Sequence, residues 1–367
     1  MGISSSLGSS ALLPAGLGFR NLLINGHMRI AQRGTTAVST NGSYPVDRFY
    51  VAQTTSGAWT MQQIPASTTA CPPGFDYSIK FTKTTGNTPA VGDYNYFFQA
   101  IEGNNSAQLD WGTANAKPAV LSFWVRSGAT GTFGGSVRNS AADSAFPFSY
   151  VVNAVDTWEY KTVYINAITT GTWAKDNSSG VLLFFDLGSG ANARSAAGTV
   201  ASGNFIGASG SSQYPTTTSG GNMFFTGMQL EQNVQPTPFE QRPIGVELAL
   251  CQRYYWREQV GVHGQTGATY ILDNFIGAAC DQSTWIRYPI RCPVPMRGQP
   301  TLVYSNTASN FTNLVASGGQ TGTSLSGLTC SYYAVNFYVY SPGVSTGAAA
   351  CLRMNNANAY LGAEAEL

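Results

Sequence analysis

One stretch of this chain, residues 237–257, carries the 3.6-residue period of an amphipathic helix, and its isolation constrains the possible folds. Two apolar rows lie side by side along it. The first row contains Ile244, Leu248, Cys251 and Tyr255, and the second contains Val246, Leu250 and Tyr254. Pro243 suits the first helical turn, because proline has no N–H group to leave unpaired there. The pattern predicts a helix over residues 243–260.

Short segments of alternating apolar and polar residues occur on both sides of this helix, separated by Gly, Pro, Asn and Asp. Alternation with a period of two predicts half-buried β-strands. Before the helix the predicted strands are 44–51, 59–64, 77–82, 94–102, 119–126, 134–138, 148–152, 159–165, 181–187 and 222–231. After it they are 268–275, 284–291, 301–306, 331–340 and 349–354, with a loop at 317–327. Many short strands with turn residues between them favour a two-sheet sandwich.

The order of these elements predicts an all-β protein with one connecting α-helix. Residues 1–18 are uncharged and rich in small residues, and they are predicted to be an arm or linker. Residues 19–242 are predicted to form a jelly-roll-like β-sandwich, residues 243–260 the connecting helix, and residues 261–367 a second, smaller β-sandwich.

Composition excludes several classes of function. The net charge is +1 and charged residues make up 10% of the chain, so no basic field for nucleic acid is present. No apolar stretch approaches the ~20 residues that a membrane-spanning helix needs, so no membrane insertion is expected. The six cysteines form no CxxC pair and there are two histidines. We therefore expect no zinc site and no cofactor. No metal site is predicted, although Asp/Asn clusters such as Asp176-Asn177 leave calcium open.

The residues needed for most catalytic mechanisms are missing. His27 and His263 are the two histidines, and no GxSxG motif accompanies either of them. A glycosidase needs two carboxylates only, and Asp93, Glu102 and Asp110 lie near aromatic residues. The sequence predicts no catalytic residues and no enzyme, with a glycan depolymerase as an alternative that these carboxylates leave open.

Four aromatic residues are candidates for binding a carbohydrate. Sugars are bound by aromatic side chains with amide or carboxylate groups close by. The candidates in polar, loop-like surroundings are Tyr94, Tyr96, Trp111 and Trp173, with Asn104, Asn105 and Gln108 near them in sequence. The alternative is that these aromatic residues belong to a core or to an interface.

Four stretches of the chain resemble bacteriophage tail-fibre and related virion appendage proteins. They are RNLLINGHMRIAQRG with YPVDRFYV, FFTGMQLEQNVQPTPFEQRPIGVELALCQRYYW, RYPIRCPVPMRGQPTL and the final AEAEL. They keep the order that the family has, although Phe49 stands where the family often has tryptophan. The resemblance implies a jelly-roll sandwich, a helix and a distal β domain, commonly in a trimer. It also implies a virion protein assembled in the host cytoplasm.

The resemblance and the helix together predict a homotrimer. One apolar row can pack on the chain's own sandwich, and the other is then left for a neighbouring copy. The predicted interface residues are Val246, Leu248, Leu250 and Tyr254. In a monomer the second domain would cover this row instead.

The predicted function is that of a tail fibre or appendage that binds a host-surface glycan without cleaving it. Its expected partners are copies of itself, other virion proteins and the host-cell polysaccharide. The alternative is a head-attached fibre or decoration protein with a structural role alone.

Overall fold

The computed structural model describes residues 19–54, 59–259, 270–271, 279–280, 285–315, 318–342, 344–355 and 359–367. Strands make up 44% and helices 7% of the structure, which confirms the all-β prediction. Within the described residues the strand pairs are antiparallel, apart from one two-residue parallel pair. The part of the chain described contains no helix that is both long and apolar enough to span a membrane. The predicted arm at residues 1–18 and His263 lie outside the described residues.

The N-terminal part, called here the first body, is a sandwich of two sheets. Its strands are β1 Ser43–Val46, β2 Phe49–Gln53, β3 Trp59–Pro65, β4 Tyr77–Lys83, β5 Asn95–Glu102, β6 Ala119–Ser127, β7 Gly131–Arg138, β8 Ala145–Val152, β9 Glu159–Ile165, β10 Ser179–Asp186, β11 Arg194–Ser195, β12 Gly207–Ala208 and β13 Gly221–Glu231. The six-stranded sheet has the order β1-β2-β5-β10-β7-β8 and the five-stranded sheet the order β3-β4-β13-β6-β9. A one-turn helix, α1 Gly103–Ser106, follows β5.

Aromatic rings fill the space between the two sheets of the first body. The ring of Phe97 stacks on that of Phe185 with centroids 5.0 Å apart and on that of Phe81 at 4.5 Å. Phe123 and Phe225 approach Phe185 from the opposite sheet, at 5.0 and 5.3 Å. These residues come from alternate positions of their strands, as a sandwich core requires.

The predicted strand at 44–51 is two strands joined by a tight turn. Asp47 and Arg48 form the turn, and Arg48 has φ +71°. The backbone N–H of Gln32 donates to Oδ1 of Asp47 at 2.9 Å, and this contact draws the turn towards the preceding segment. The alternation of apolar residues continues through both strands, so the pattern alone does not locate the break.

The predicted helix at 243–260 is wrong in its second half. The helix, α2, spans Ile244–Gln252, and a strand, β14 Tyr255–Gln259, begins three residues later. β14 pairs antiparallel with the last strand of the chain, from Tyr255 opposite Glu364 to Gln259 opposite Tyr360. Aromatic residues favour strands, and this pairing overrides the helical period.

The C-terminal part, called here the second body, contains three small sheets around its own core. Its strands after β14 are β15 Tyr270–Ile271, β16 Ala279–Cys280, β17 Trp285–Arg291, β18 Thr301–Tyr304, β19 Phe311–Val315, β20 Gly318–Thr321, β21 Ser324–Ser331, β22 Ala334–Tyr340, β23 Ala350–Met354 and β24 Tyr360–Glu364. The sheet orders are β14-β24-β18, β15-β23-β19-β20 and β16-β17-β22-β21. The predicted loop at 317–327 is therefore wrong, because β20 and part of β21 lie there.

Residues 365 and 366, which follow β24, connect the two bodies through hydrogen bonds. Nε of Arg297 donates to the carbonyl of Ala365 at 2.9 Å, and Nη2 donates to that of Glu366 at 3.0 Å. The same guanidinium donates from Nη1 to the carbonyl of Asn177 in the first body at 2.7 Å. The N–H of Ala365 donates to the carbonyl of Tyr254 at 2.7 Å. Arg297 of the second body thus donates hydrogen bonds both to residues 365–366 and to the first body.

Two arginines of the first body pair with carboxylates at the end of the chain. Arg48, with a side chain 2% exposed, pairs with Glu366, whose side chain is 7% exposed. Nη2 of Arg33 lies 3.3 Å from Glu364 and 3.2 Å from Glu366. The guanidinium of Arg48 also lies 3.4 Å from the centre of the Tyr254 ring. Because buried charges require a partner, Glu366 is part of the interior of this joint.

Candidate functional site

Aromatic side chains cross the outer face of the six-stranded sheet in an unbroken row. Tyr44, Tyr50, Phe98 and Phe184 stand on β1, β2, β5 and β10, and Phe98 lies opposite both Tyr50 and Phe184 in the strand register. Successive ring centroids are 5.2, 5.3 and 5.0 Å apart. Arg138 on β7 ends the row, with its guanidinium 4.9 Å from the centre of the Phe184 ring. At the usual strand spacing of ~4.8 Å the row is about 19 Å long.

Two of the predicted binding residues, Tyr94 and Tyr96, lie beside this row. The ring of Tyr96 is 5.9 Å from Phe98 and 5.2 Å from Phe184, and Tyr94 is 5.4 Å from Tyr96. We call the surface formed by Tyr44, Tyr50, Tyr94, Tyr96, Phe98 and Phe184 the aromatic face. All of these side chains except Phe184 are partly exposed. The face therefore presents ring surface and phenol groups to solvent.

Small apolar residues and the end of the chain border the aromatic face. Ala193 and Ile206, from the long segment between β10 and β13, pack with Phe184 in one cluster. Leu367 packs against the same cluster. The segment between β10 and β13 thus contributes β11, β12 and part of this border.

The phenol groups of Tyr44 and Tyr96 stay protonated at neutral pH. Burial, and to a lesser extent the neighbouring Tyr94, raises the pKa of Tyr96 to about 12. Burial and the charge of Glu366 likewise hold the pKa of Tyr44 above its ordinary value. Both hydroxyl groups can therefore donate as well as accept hydrogen bonds, as the recognition of sugar hydroxyls requires.

Polar groups are present at two edges of the aromatic face. Arg138 donates a hydrogen bond to Oδ1 of Asn204, and Asn204 is exposed. At the other edge the hydroxyl of Thr54 lies 3.3 Å from Oδ1 of Asp93 and accepts from the N–H of Tyr94 at 2.7 Å. Aromatic rings with an amide, a carboxylate and a guanidinium close by are the groups that bind a saccharide.

The other two predicted binding residues, Trp111 and Trp173, are core residues instead. Their rings meet edge to face with centroids 4.9 Å apart, and both are buried in the main cluster of the first body. Nε1 of Trp111 donates to the carbonyl of Lys117 at 2.8 Å, and Nε1 of Trp173 to that of Thr170 at 2.9 Å. Their burial argues against the prediction that they bind sugar, although both rings line a small pocket beside Lys175.

The structure places the three candidate catalytic carboxylates in separate local contacts. Glu102 is buried and accepts from Nε and Nη2 of Arg253 at 2.8 and 2.9 Å. Burial opposes its ionisation, but the hydrogen bonds from Arg253 and Tyr254 and the charges of Arg253 and Arg297 together outweigh burial and lower the pKa of the carboxyl. Asp110 lies 3.6 and 3.2 Å from Lys117 and Lys175. Asp93 accepts from the N–H of Ala90 at 2.7 Å, which closes a turn.

His27 is held between aromatic rings at the start of the first body. Its ring centroid is 4.8 Å from that of Phe75 and 5.9 Å from that of Phe239. Nε2 lies 2.6 Å from Oδ1 of Asp76, and Nδ1 lies 3.1 Å from Oε1 of Gln241. Burial lowers the pKa of His27. The ring thus joins the first turn of the body to the segment before α2.

The predicted interface residues divide between the surface and the interior. Val246 and Leu250 line an open apolar groove of about 410 Å³, together with Phe19, Val294 and Pro295. Leu248 packs against a buried cluster within the chain. Tyr254 is fully buried beside Arg48, so the prediction that it contacts another copy is wrong. The helix ends at Gln252, and the tyrosine therefore does not share the exposed side of α2.

No protein-family model matches the chain, and no curated protein matches its sequence. Solved structures overlap with it at low similarity. The enzymatically active domain of tailspike protein 4 from bacteriophage CBA120 is 15% identical, with 58% of this chain and 22% of that chain covered and a TM-score of 0.31. TmCBM61 in complex with β-1,4-galactotriose is 10% identical, with 59% and 100% covered and a TM-score of 0.31. A family 30 carbohydrate-binding module is 14% identical, with 62% and 97% covered and a TM-score of 0.27.

The overlap thus spans about a fifth of the tailspike domain and nearly all of the two carbohydrate-binding modules. TM-scores of this size carry no argument about the ligand of this chain.

Sequence reasoning missed Tyr44, Tyr50, Phe98 and Phe184, which complete the aromatic face. One signal was present, because Phe98 follows Tyr96 by two positions and must share its side of β5. The register that places Tyr50 and Phe184 on either side of Phe98 comes from pairings between distant segments. Local patterns carry no information on such pairings.

Proposed function

We propose that this protein is a phage virion appendage, such as a tail fibre, that binds a host-surface glycan on the aromatic face without cleaving it. The observation that carries the proposal is the row of rings that ends at Arg138 and crosses the sheet on its outer face. Phe184 is 2% exposed and supports the row from beneath, and the partly exposed rings of Tyr44, Tyr50 and Phe98 span about 10 Å at the usual strand spacing. The four sequence stretches that resemble virion appendage proteins support its place on a particle.

The absence of cleavage is part of the proposal. A glycosidase holds two carboxyl groups on either side of the bond that it breaks. Glu102 is neutralised in a buried pair with Arg253, and Asp110 lies between two lysines. Asp93 is the carboxylate near the aromatic face, where it lies beside Thr54. These contacts favour a binding surface over a catalytic pair.

Replacing Tyr96 with alanine is expected to weaken glycan binding by at least tenfold. The variant removes a ring that contacts Tyr94, Phe98 and Phe184, and stacking energies of ~1.4 kcal/mol correspond to that factor. An array of bacterial surface polysaccharides followed by calorimetry on the bound glycan would measure it. Tyr164→Ala, an exposed tyrosine on β9 of the opposite sheet, is the matched control.

Three results would contradict this proposal. Equal binding by the Tyr96 and Tyr164 variants would place the glycan elsewhere on the chain. No binding by the wild-type protein to any host polysaccharide would favour the structural role alone, as a decoration protein or a head-attached fibre. Release of reducing ends that is lost in Asp93→Asn would favour a depolymerase.

We also propose that the protein is a homotrimer in which the apolar groove beside α2 is closed by a second copy. Val246, which is 37% exposed in one chain, and Leu250 line the groove. Ile244, which is 53% exposed, precedes them on α2. Leaving large apolar side chains in water forfeits ~1.5–3 kcal/mol each. The resemblance to virion appendages supports threefold rather than twofold closure.

Light scattering should give three times the 38.9 kDa of one chain. Leu250→Asp is expected to reduce this mass, because it would bury an unpaired charge in the closed groove. Val234→Asp, at an exposed valine away from the groove, should leave the mass unchanged. A wild-type mass of a single chain would refute the trimer.

A further inference from the structure

A second surface with the character of a saccharide site lies on the second body. It is the outer side of the sheet β16-β17-β22-β21, and we call it the distal face, formed by Trp285, Arg287, Ser324, Ser326, Tyr338 and Tyr340. Trp285 lies opposite Tyr340 in the register, and Arg287 lies opposite Tyr338. Ser324 and Ser326 continue these two rows on β21. The rings of Trp285 and Tyr340 are 5.2 Å apart.

The aromatic residues of the distal face are not used by the core of the second body. The alternate residues Ile286, Tyr288 and Ile290 of β17 are all fully buried. They pack with buried residues of β22 in the core of the second body. On the outer side Arg287, Ser324 and Ser326 are exposed, while the three rings are half-buried. The solvent side of an antiparallel sheet is normally polar, so three large rings there indicate a ligand surface.

The charge on this sheet has one sign. Arg287 and Arg291 stand on the outer side of β17, and the four strands contain no Asp or Glu. Nε of Arg287 donates to Oδ1 of Asn336 at 3.0 Å, which fixes the plane of the guanidinium on the face. A guanidinium with a fixed orientation recognises a carboxylate through two parallel hydrogen bonds.

We propose that the distal face binds an acidic saccharide, a sugar chain that carries carboxylate groups. Trp285, Tyr338 and Tyr340 supply ring surface for the sugar, and the two serines supply hydroxyl groups. Arg287 pairs with the carboxylate. The aromatic face differs, because the carboxylate of Asp93 lies at its edge beside Thr54. The two surfaces are therefore suited to different parts of a glycan or to different glycans.

The test uses an array of bacterial surface polysaccharides in which each acidic member is printed beside its carboxyl-reduced form. The Tyr96→Ala protein is used, so that binding at the aromatic face does not contribute. It should retain at least tenfold preference for acidic over reduced members. Adding Arg287→Gln should abolish that preference, and adding Trp285→Ala should remove the binding itself. Arg126→Gln, an arginine on the outer side of β6, is the matched control.

Several outcomes would overturn the proposal. One is equal binding to the acidic and the carboxyl-reduced polysaccharides, and another is an unchanged preference in the Arg287→Gln variant. A third is binding of an oligothymidylate as strong as that of the acidic polysaccharides, which would indicate a site for single-stranded nucleic acid. A lower mass of the homo-oligomer in the Trp285→Ala variant would indicate that the distal face is a contact between copies. Circular dichroism of each variant should match wild type, because these side chains lie outside the core. Loss of the preference for acidic polysaccharides, with normal glycan binding on the aromatic face, would contradict this proposal and leave the proposed function intact.

Discussion

Replacing Glu366 with alanine is expected to lower the free energy of unfolding by about 3–5 kcal/mol. The variant would leave Arg48 without its carboxylate partner, in a position where that side chain is 2% exposed. Arg33, which lies 3.2 Å from the same carboxylate, would lose a partner as well. Stability is lost because the desolvated guanidinium no longer has a counter-charge. This loss exceeds the net stabilisation that the ion pair contributes. Urea denaturation followed by tryptophan fluorescence would measure it.

Glu364 provides the control for this experiment. It pairs with Arg33 alone among the described residues, at 3.3 Å, and its side chain is 36% exposed. Exposed ion pairs contribute about 0–1 kcal/mol, so Glu364→Ala should change the free energy of unfolding only slightly. Glu366→Gln should fall between the two alanine variants, because the amide keeps a hydrogen-bond acceptor for Arg48. Similar losses from Glu364→Ala and Glu366→Ala would contradict the buried role of Glu366.

Replacing Phe185 with alanine is expected to cost about 3–5 kcal/mol of stability in the first body. The side chain is 1% exposed, and its ring contacts those of Phe97, Phe123 and Phe225 from both sheets. Alanine would leave a cavity at the centre of the sandwich that these rings cannot fill without leaving their rotamers. Since whole domains are stable by ~5–15 kcal/mol, the loss should be evident in thermal unfolding.

Phe98→Ala distinguishes the two sides of the same sheet. Phe98 lies on the outer side of β5 and is partly exposed, so its removal should cost much less stability than that of Phe185. It should instead weaken binding of a glycan, because it is the central ring of the aromatic face. Phe185→Leu should recover a large part of the stability that Phe185→Ala loses. A larger loss of stability from Phe98 than from Phe185 would show that the inner and outer sides have been assigned wrongly.

The period of two in the sequence predicted most strands of the first body because each strand has a single buried side. The predicted strands at 119–126 and 159–165 coincide with β6 and β9 within one residue. The same pattern continued through Asp47 and Arg48, where the chain turns, and so concealed the gap between β1 and β2. Turn geometry there depends on Gln32, which is distant in sequence.

The helical prediction failed where a long-range contact competes with a local preference. Residues 244–252 follow the period, and they form α2. Tyr255 and Trp256 continue it in sequence, but β24 offers them backbone partners more than a hundred positions later in the chain. Trp111 and Trp173 were misplaced for a similar reason, because their polar neighbours in sequence are not their neighbours in the sandwich. The aromatic face could be predicted only in part, through Tyr94 and Tyr96, since its assembly depends on strand order.

The pairing of Arg48 with Glu366 has a consequence for the order of events during synthesis. The two residues are 318 positions apart, and a ribosome adds about 5–20 residues each second. The last strand of the first body ends at Glu231, so this body can emerge and condense roughly 7–27 s before the carboxylate of Glu366 is synthesised. For that interval the guanidinium of Arg48 lacks its carboxylate partner. Completion of the joint waits for the synthesis of Glu366, whatever the intrinsic speed of folding of the sandwich.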